Sequence, residues 1–173
     1  MPLVFQYGSN CDAARLRQRL GALEDLGRAQ TRDAYEITFN KRASEGHAAA
    51  DLLKPRKYER RAWGVLYKIS RAAFQTLKAV EGDSYRQQRI AVIDASGVTK
   101  LATTFRVRQT KRRSGLWTSA EYVRHIVCGL RAHNVSEEYV KHVIDIALDT
   151  NRRAGNAGHD RQIEFLRRRD SCR

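Results

Sequence analysis

Proline and cysteine are scarce in this 173-residue chain, which holds two of the first and three of the second. So little proline excludes a collagen-like or proline-rich polymer. Cys11, Cys128 and Cys172 are an odd count without paired spacing, which suggests neither a disulfide framework nor a four-ligand zinc site. Long apolar runs are missing too. Mean hydropathy is −0.62, and no stretch approaches the ~18 to 20 apolar residues that a membrane span requires. No cationic segment followed by an apolar stretch reads as a secretory leader. The expectation from these shortages is a reduced, cytoplasmic protein without membrane contact.

Acidic residues are also in short supply. Nineteen Asp and Glu stand against 33 Lys and Arg, a net charge of +14. Such an excess usually implies an acidic partner, nucleic acid first among them, or simply a well-solvated surface. Two runs concentrate it: Lys54, Arg56, Lys57, Arg60 and Arg61, and then Arg106, Arg108, Lys111, Arg112 and Arg113. Tyr58, Trp63 and Tyr67 interleave with the first run, as nucleic-acid binding would use them, but Trp63, Val65 and Tyr67 also alternate as a half-buried strand should.

With 42% apolar residues, the chain has material for a single core. Leu3 to Tyr7 reads as a short buried strand stopped by Gly8-Ser9-Asn10, and Asp12 as the N-cap of a helix carrying Leu16 and Leu20. Tyr35, Ile37 and Phe39 alternate. Ala48 to Leu53 is a weaker strand candidate and Trp63 to Ile69 a stronger one. Ser70 caps a helix with Phe74, Leu77 and Val80 on one side, ending at Glu81-Gly82. Tyr85 to Ile93 and Leu101 to Val107 form a hairpin about Asp94 to Gly97. Thr118-Ser119-Ala120-Glu121 reads as a capping box, and Ser136 opens a last amphipathic helix. Strands and helices do not alternate regularly, which disfavours a doubly wound parallel sheet. The expected fold is α+β, a small mixed barrel-like sheet with helices outside. Residues 1–150 form the domain, and the Arg-rich residues 151–173 form a tail that is loosely docked or mobile.

Two places stand out chemically. Tyr7-Gly8-Ser9-Asn10 lies where a strand gives way to a helix, so successive N–H groups can converge on an anion or oxyanion; an ordinary junction would look the same. Glu81 occupies the last turn of a helix, where the macrodipole disfavours a carboxylate by roughly 0.3 to 1 kcal/mol. It is a candidate general acid/base or a solvated surface residue. His125 and Cys128 have an i, i+3 spacing compatible with a metal, but two ligands do not make a site.

Phe5-Gln6-Tyr7-Gly8-Ser9-Asn10 resembles the FxYGSN signature of the γ-glutamylcyclotransferase-like (AIG2-like) family. Tyr35 to Arg42, Ala62 to Ile69, Val80-Glu81-Gly82 with Tyr85-Arg86, and Tyr122 to Tyr139 follow in the family's order, so the resemblance covers roughly residues 3 to 149. It implies a compact barrel with the pocket at one mouth. The implied activity is intramolecular aminolysis of a γ-glutamyl group to 5-oxoproline, without metal or organic cofactor. By that resemblance Glu81 is the proton carrier, and Tyr7, Gly8, Ser9, Asn10 and Tyr85 bind a small-molecule γ-glutamyl substrate. Phe105 stands where relatives often present a tyrosine hydroxyl. A monomer or homodimer is expected. The alternative is a non-catalytic or nucleic-acid-binding member of the fold, for which the charge argues.

Overall fold

The computed structural model describes residues 1–43, 46–55 and 60–172. Five strands close a barrel in the order β1 (Leu3–Gln6), β5 (Trp63–Lys68), β2 (Glu24–Thr31), β6 (Tyr85–Asp94), β7 (Thr99–Val107). All its pairings are antiparallel except the closing one, where Val4 of β1 lies beside Thr103 of β7 in parallel. A separate hairpin, β3 (Glu36–Arg42) with β4 (Ala48–Leu53), lies against it. The helices α1 (Ala13–Leu20), α2 (Arg71–Glu81), α3 (Ala120–Ala132), α4 (Glu137–Arg153) and α5 (Asp160–Phe165) pack around these strands. The mixed barrel with outer helices is the fold expected from the sequence.

Short apolar runs buried on both faces build the barrel wall. Val4, Phe5, Val65, Leu66, Tyr67 and Val92 are fully buried, and Trp63 packs against the same core with the Arg28 guanidinium 5.8 Å over its ring. The aromatics of this strand are therefore core side chains, while Arg56, Lys57 and Tyr58 lie outside the described residues. β2 was not expected. Its residues are polar and half exposed, and it is a strand because β5 and β6 satisfy its backbone from both sides.

Three details correct the sequence reading. Val80 is 48% exposed, so Ala73 and Leu77 carry the inner face of α2. Ser119 rather than Thr118 caps α3; the fully buried Thr118 instead donates its hydroxyl to Ala48 O, and its backbone donates to Asn151 Oδ1 and accepts from Asn151 Nδ2. Asp12, Ser70 and Ser136 cap their helices as expected.

The largest correction concerns residues 151–173, expected as a loose tail. Residues 151–172 complete α4, form α5 and finish in a short 3-10 turn. Ile163 is fully buried and Leu166 nearly so, in the common core. Arg131 of α3 reaches Ser171 Oγ and the Arg168 carbonyl at 3.0 Å each. Cys128 and Cys172 are joined in a disulfide, against the expectation of unpaired thiols, and Cys11 is free and buried. A separation of 44 residues is invisible to a reading of local spacing.

Candidate active site

At the end of β1 the chain turns through Tyr7 and Gly8 into a 3-10 turn, Ser9–Cys11, closed by Cys11 N–H on Gly8 O at 2.9 Å. The side chain of Asp12 then caps α1 by accepting from the amides of Ala14 and Arg15. Helix α3 fixes this turn from behind. A Cβ on Gly129 would stand 2.3 Å from the Cys11 carbonyl carbon, so only glycine lets the helix come so near. His125, one turn earlier, bonds Asp12 through Nδ1 at 2.8 Å, and its Nε2 accepts from Arg15 at 3.2 Å. Since Arg15 can only donate, the imidazole carries its proton on Nδ1. With Cys128 in a disulfide, the His125 and Cys128 spacing serves structure. Among the described residues no cluster of three His, Cys, Asp or Glu could hold a metal ion.

The turn faces a cavity of about 190 Å³ at the barrel mouth. Tyr7, Gly8, Ser9 and Asn10 line it from one side and Glu81 with Tyr85 from another, so all six residues singled out by sequence meet in one space. Glu81 ends α2, and Gly82 terminates the helix with φ +64° and its N–H on Lys78 O. Asn10 Nδ2 donates to Glu81 Oε1 at 3.2 Å across 71 residues of chain. Burial pushes the Glu81 carboxyl up to about 7, while Arg19, Lys41 and the Asn10 hydrogen bond pull the other way.

Several lining residues were not anticipated: Arg15, Arg19, Lys41, His47 and Tyr122. A register shift between Phe39 and Lys41 is the device that brings Lys41 in. It frees Asn40 to reach Asp51, and Lys41 lies 5.4 Å over the Tyr85 ring. The only sequence signal for such a bulge would have been a break in alternation after Phe39.

The phenols around the cavity are already committed. Tyr7 donates to Phe105 O at 2.5 Å, Tyr85 donates to Ala50 O at 3.0 Å, and Tyr122 accepts from Ala50 N–H at 3.0 Å and hydrogen-bonds Ser9. Burial raises the pKa of all three. Tyr7 and Tyr85 therefore brace the walls. Phe105 lines the cavity and brings no hydroxyl.

The second basic run is only partly drawn into the protein, with Arg108, Lys111 and Arg113 exposed. Arg106 is 6% exposed, donates to Leu52 O and Gln88, and stacks over Tyr35; Arg112 pairs with the buried Asp51; Arg108 and Arg113 bond backbone carbonyls. No helix of the described residues is long and apolar enough to cross a membrane.

Comparison with known proteins agrees with this fold. Residues 61–143 match the AIG2-like family. A solved structure named gamma-glutamyl cyclotransferase superposes with a TM-score of 0.73 at 19% identity, over 82% of this chain and 85% of that one. An uncharacterized protein from Homo sapiens gives 0.72, with the same identity and coverage. YkqA from Bacillus subtilis gives 0.66 at 25% identity over 82% of this chain, which spans about half, 52%, of YkqA. No curated protein matches the sequence.

Proposed function

On the premise that this chain has the γ-glutamylcyclotransferase-like fold with an AIG2-like stretch, we propose that it cyclises a γ-glutamyl group to 5-oxoproline and releases an amine or amino acid. One observation carries the reading: a carboxyl with its pKa pushed up to about 7 shares a cavity, and a hydrogen bond, with the Tyr7 to Asn10 turn. A general acid/base works best with a pKa near the operating pH, and burial supplies that here.

The chemistry asks little more. Ionised Glu81 takes a proton from the α-ammonium of the glutamyl group. The freed amine attacks the γ-carbonyl carbon, forming the ring C–N bond. The bond to the leaving nitrogen then breaks as Glu81 returns its proton there, and the second ammonium proton follows, giving the lactam and a protonated amine. Because ring closure is unimolecular, holding the chain in a near-attack conformation supplies much of the acceleration without a covalent intermediate. Arg19 and Lys41 add positive charge where the substrate carboxylate sits.

A nucleic-acid-binding role, the alternative drawn from net charge, loses Arg106 and Arg112 of its second basic run to internal bonds. The deciding experiment is a screen of γ-glutamyl amino acids and γ-glutamylamines with detection of 5-oxoproline. Turnover of at least one compound is expected; inertness toward all of them would refute the reading.

A further inference from the structure

Arg15 lines the same cavity as Glu81, and the proposed reaction gives it no role. Its place is electrostatically poor. It stands in the first turn of α1, toward the positive end of the helix dipole, where a cation is disfavoured. Arg19 follows one turn later on the same face of the helix, so two like charges adjoin. The nearby Asp12 carboxylate is taken by the helix cap and by His125. Arg15 forms no ion pair among the described residues, and its one side-chain bond runs from Nη1 to His125 Nε2 at 3.2 Å. Asp12 fixes that imidazole from its other side, accepting from Nδ1 at 2.8 Å. The guanidinium is therefore held in place. Its Nε is screened from water, whereas Nη2 makes no bond to a described residue and stays open to water. A half-buried cation without a countercharge has lost hydration that an anionic ligand would replace.

We propose that Arg15 is a specificity-determining residue that binds a carboxylate on the leaving part of the substrate, so that the amine released is an acidic one. This inference rests on the γ-glutamyl reading and narrows it. Among the described residues that line the cavity, three Arg or Lys side chains, Arg15, Arg19 and Lys41, face one carboxyl, Glu81. The glutamyl group sets its ammonium against Glu81 and its carboxylate against the turn, where Arg19 bonds Asn10 Oδ1 at 2.8 Å and Lys41 adds charge. It has no second carboxylate to give, because its γ-carboxyl is the amide being broken. An anion for Arg15 must therefore come from beyond the scissile bond. A guanidinium suits that task, since it stays charged and its amino groups donate in a fixed plane to carboxylate oxygens.

Matched substrates test this. The γ-glutamyl compounds of alanine and ethylamine, or of phenylalanine and phenethylamine, differ by one carboxylate. The ratio of their kcat/KM within one preparation does not depend on the fraction of protein folded. Wild type should favour the acid of each pair by about 10- to 100-fold, the worth of one charge-assisted hydrogen bond. Arg15→Met should bring that ratio to within about threefold of unity, chiefly by raising KM for the acid, because the bond lies away from the reacting atoms. Arg15→Lys keeps the charge without the planar fork and should give an intermediate ratio. If Arg15→Met does not fold, Arg15→Gln keeps a donor for His125 and must lose the preference likewise. A wild type that forms 5-oxoproline equally from acid and amine, or prefers the amine, defeats the inference alone, as does a preference that survives in folded Arg15→Met. A wild type inert on every γ-glutamyl compound defeats the functional reading, and the inference with it.

Discussion

Asp51 and Glu81 are both carboxylates withdrawn from water, and their surroundings are opposite. Asp51, on β4, is fully buried and accepts four hydrogen bonds: from the amides of Leu52 and Val107 on one oxygen, and from Asn40 and Arg112 on the other. It pins the β3–β4 hairpin to the end of β7 and to the segment after it. Glu81 accepts from Asn10, and desolvation outweighs that bond and the pull of Arg19 and Lys41. A buried carboxylate with its lone pairs answered is a structural joint. One held short of full compensation keeps a proton near neutrality, and can pass it on.

The sharpest way to break that contrast is Glu81→Gln, which retains shape and hydrogen bonding but carries no transferable proton. Formation of 5-oxoproline should fall at least about 10²-fold, measured against wild type on one substrate. Wild-type turnover should rise with pH through about 7 as the carboxylate forms. Stability runs the other way. A carboxyl raised from 4.5 to about 7 binds its proton more tightly folded than unfolded, so its stabilising contribution is complete below 4.5 and is lost as pH rises through about 7. Glu81→Gln should therefore be the more stable at pH 8, by about 3 kcal/mol, and level with wild type at pH 4.

Asp51→Ala tests the other half. Removing the acceptor strands Arg112 and two buried amides, and should cost roughly 3 to 5 kcal/mol, read as a fall in melting temperature of about 10 °C or more. Any loss of turnover should track unfolding. A variant as stable as wild type would mean that the joint is ornamental and the contrast false. A smaller effect away from both carboxylates calibrates the pair. Cys172→Ser opens a 44-residue loop and should destabilise by about 2 to 4 kcal/mol by calorimetry of oxidised protein, with kcat unchanged. A kcat that fell with it would show the site depending on α3, whose Gly129 backs the turn.

The sequence by itself determined the elements whose information is local. Val4 and Phe5 belong to a short apolar run that is buried throughout, Asp12, Ser70 and Ser136 carry their caps in their own side chains, and Gly82 stops α2 so that Glu81 ends it. The resemblance of short ordered segments then paired Glu81 with Tyr7 to Asn10 across the chain. Tertiary structure decided the rest, because the causes lie far along the chain or in the sum of many neighbours. β2 is a strand only because β5 and β6 flank it. The C-terminal residues are docked because Ile163 finds the core and Cys172 finds Cys128. A bulge, not a motif, delivers Lys41 to the cavity. Whether a carboxylate is a joint or a proton carrier depends on how many donors reach it, and in a folded chain those donors come from segments that no local pattern connects.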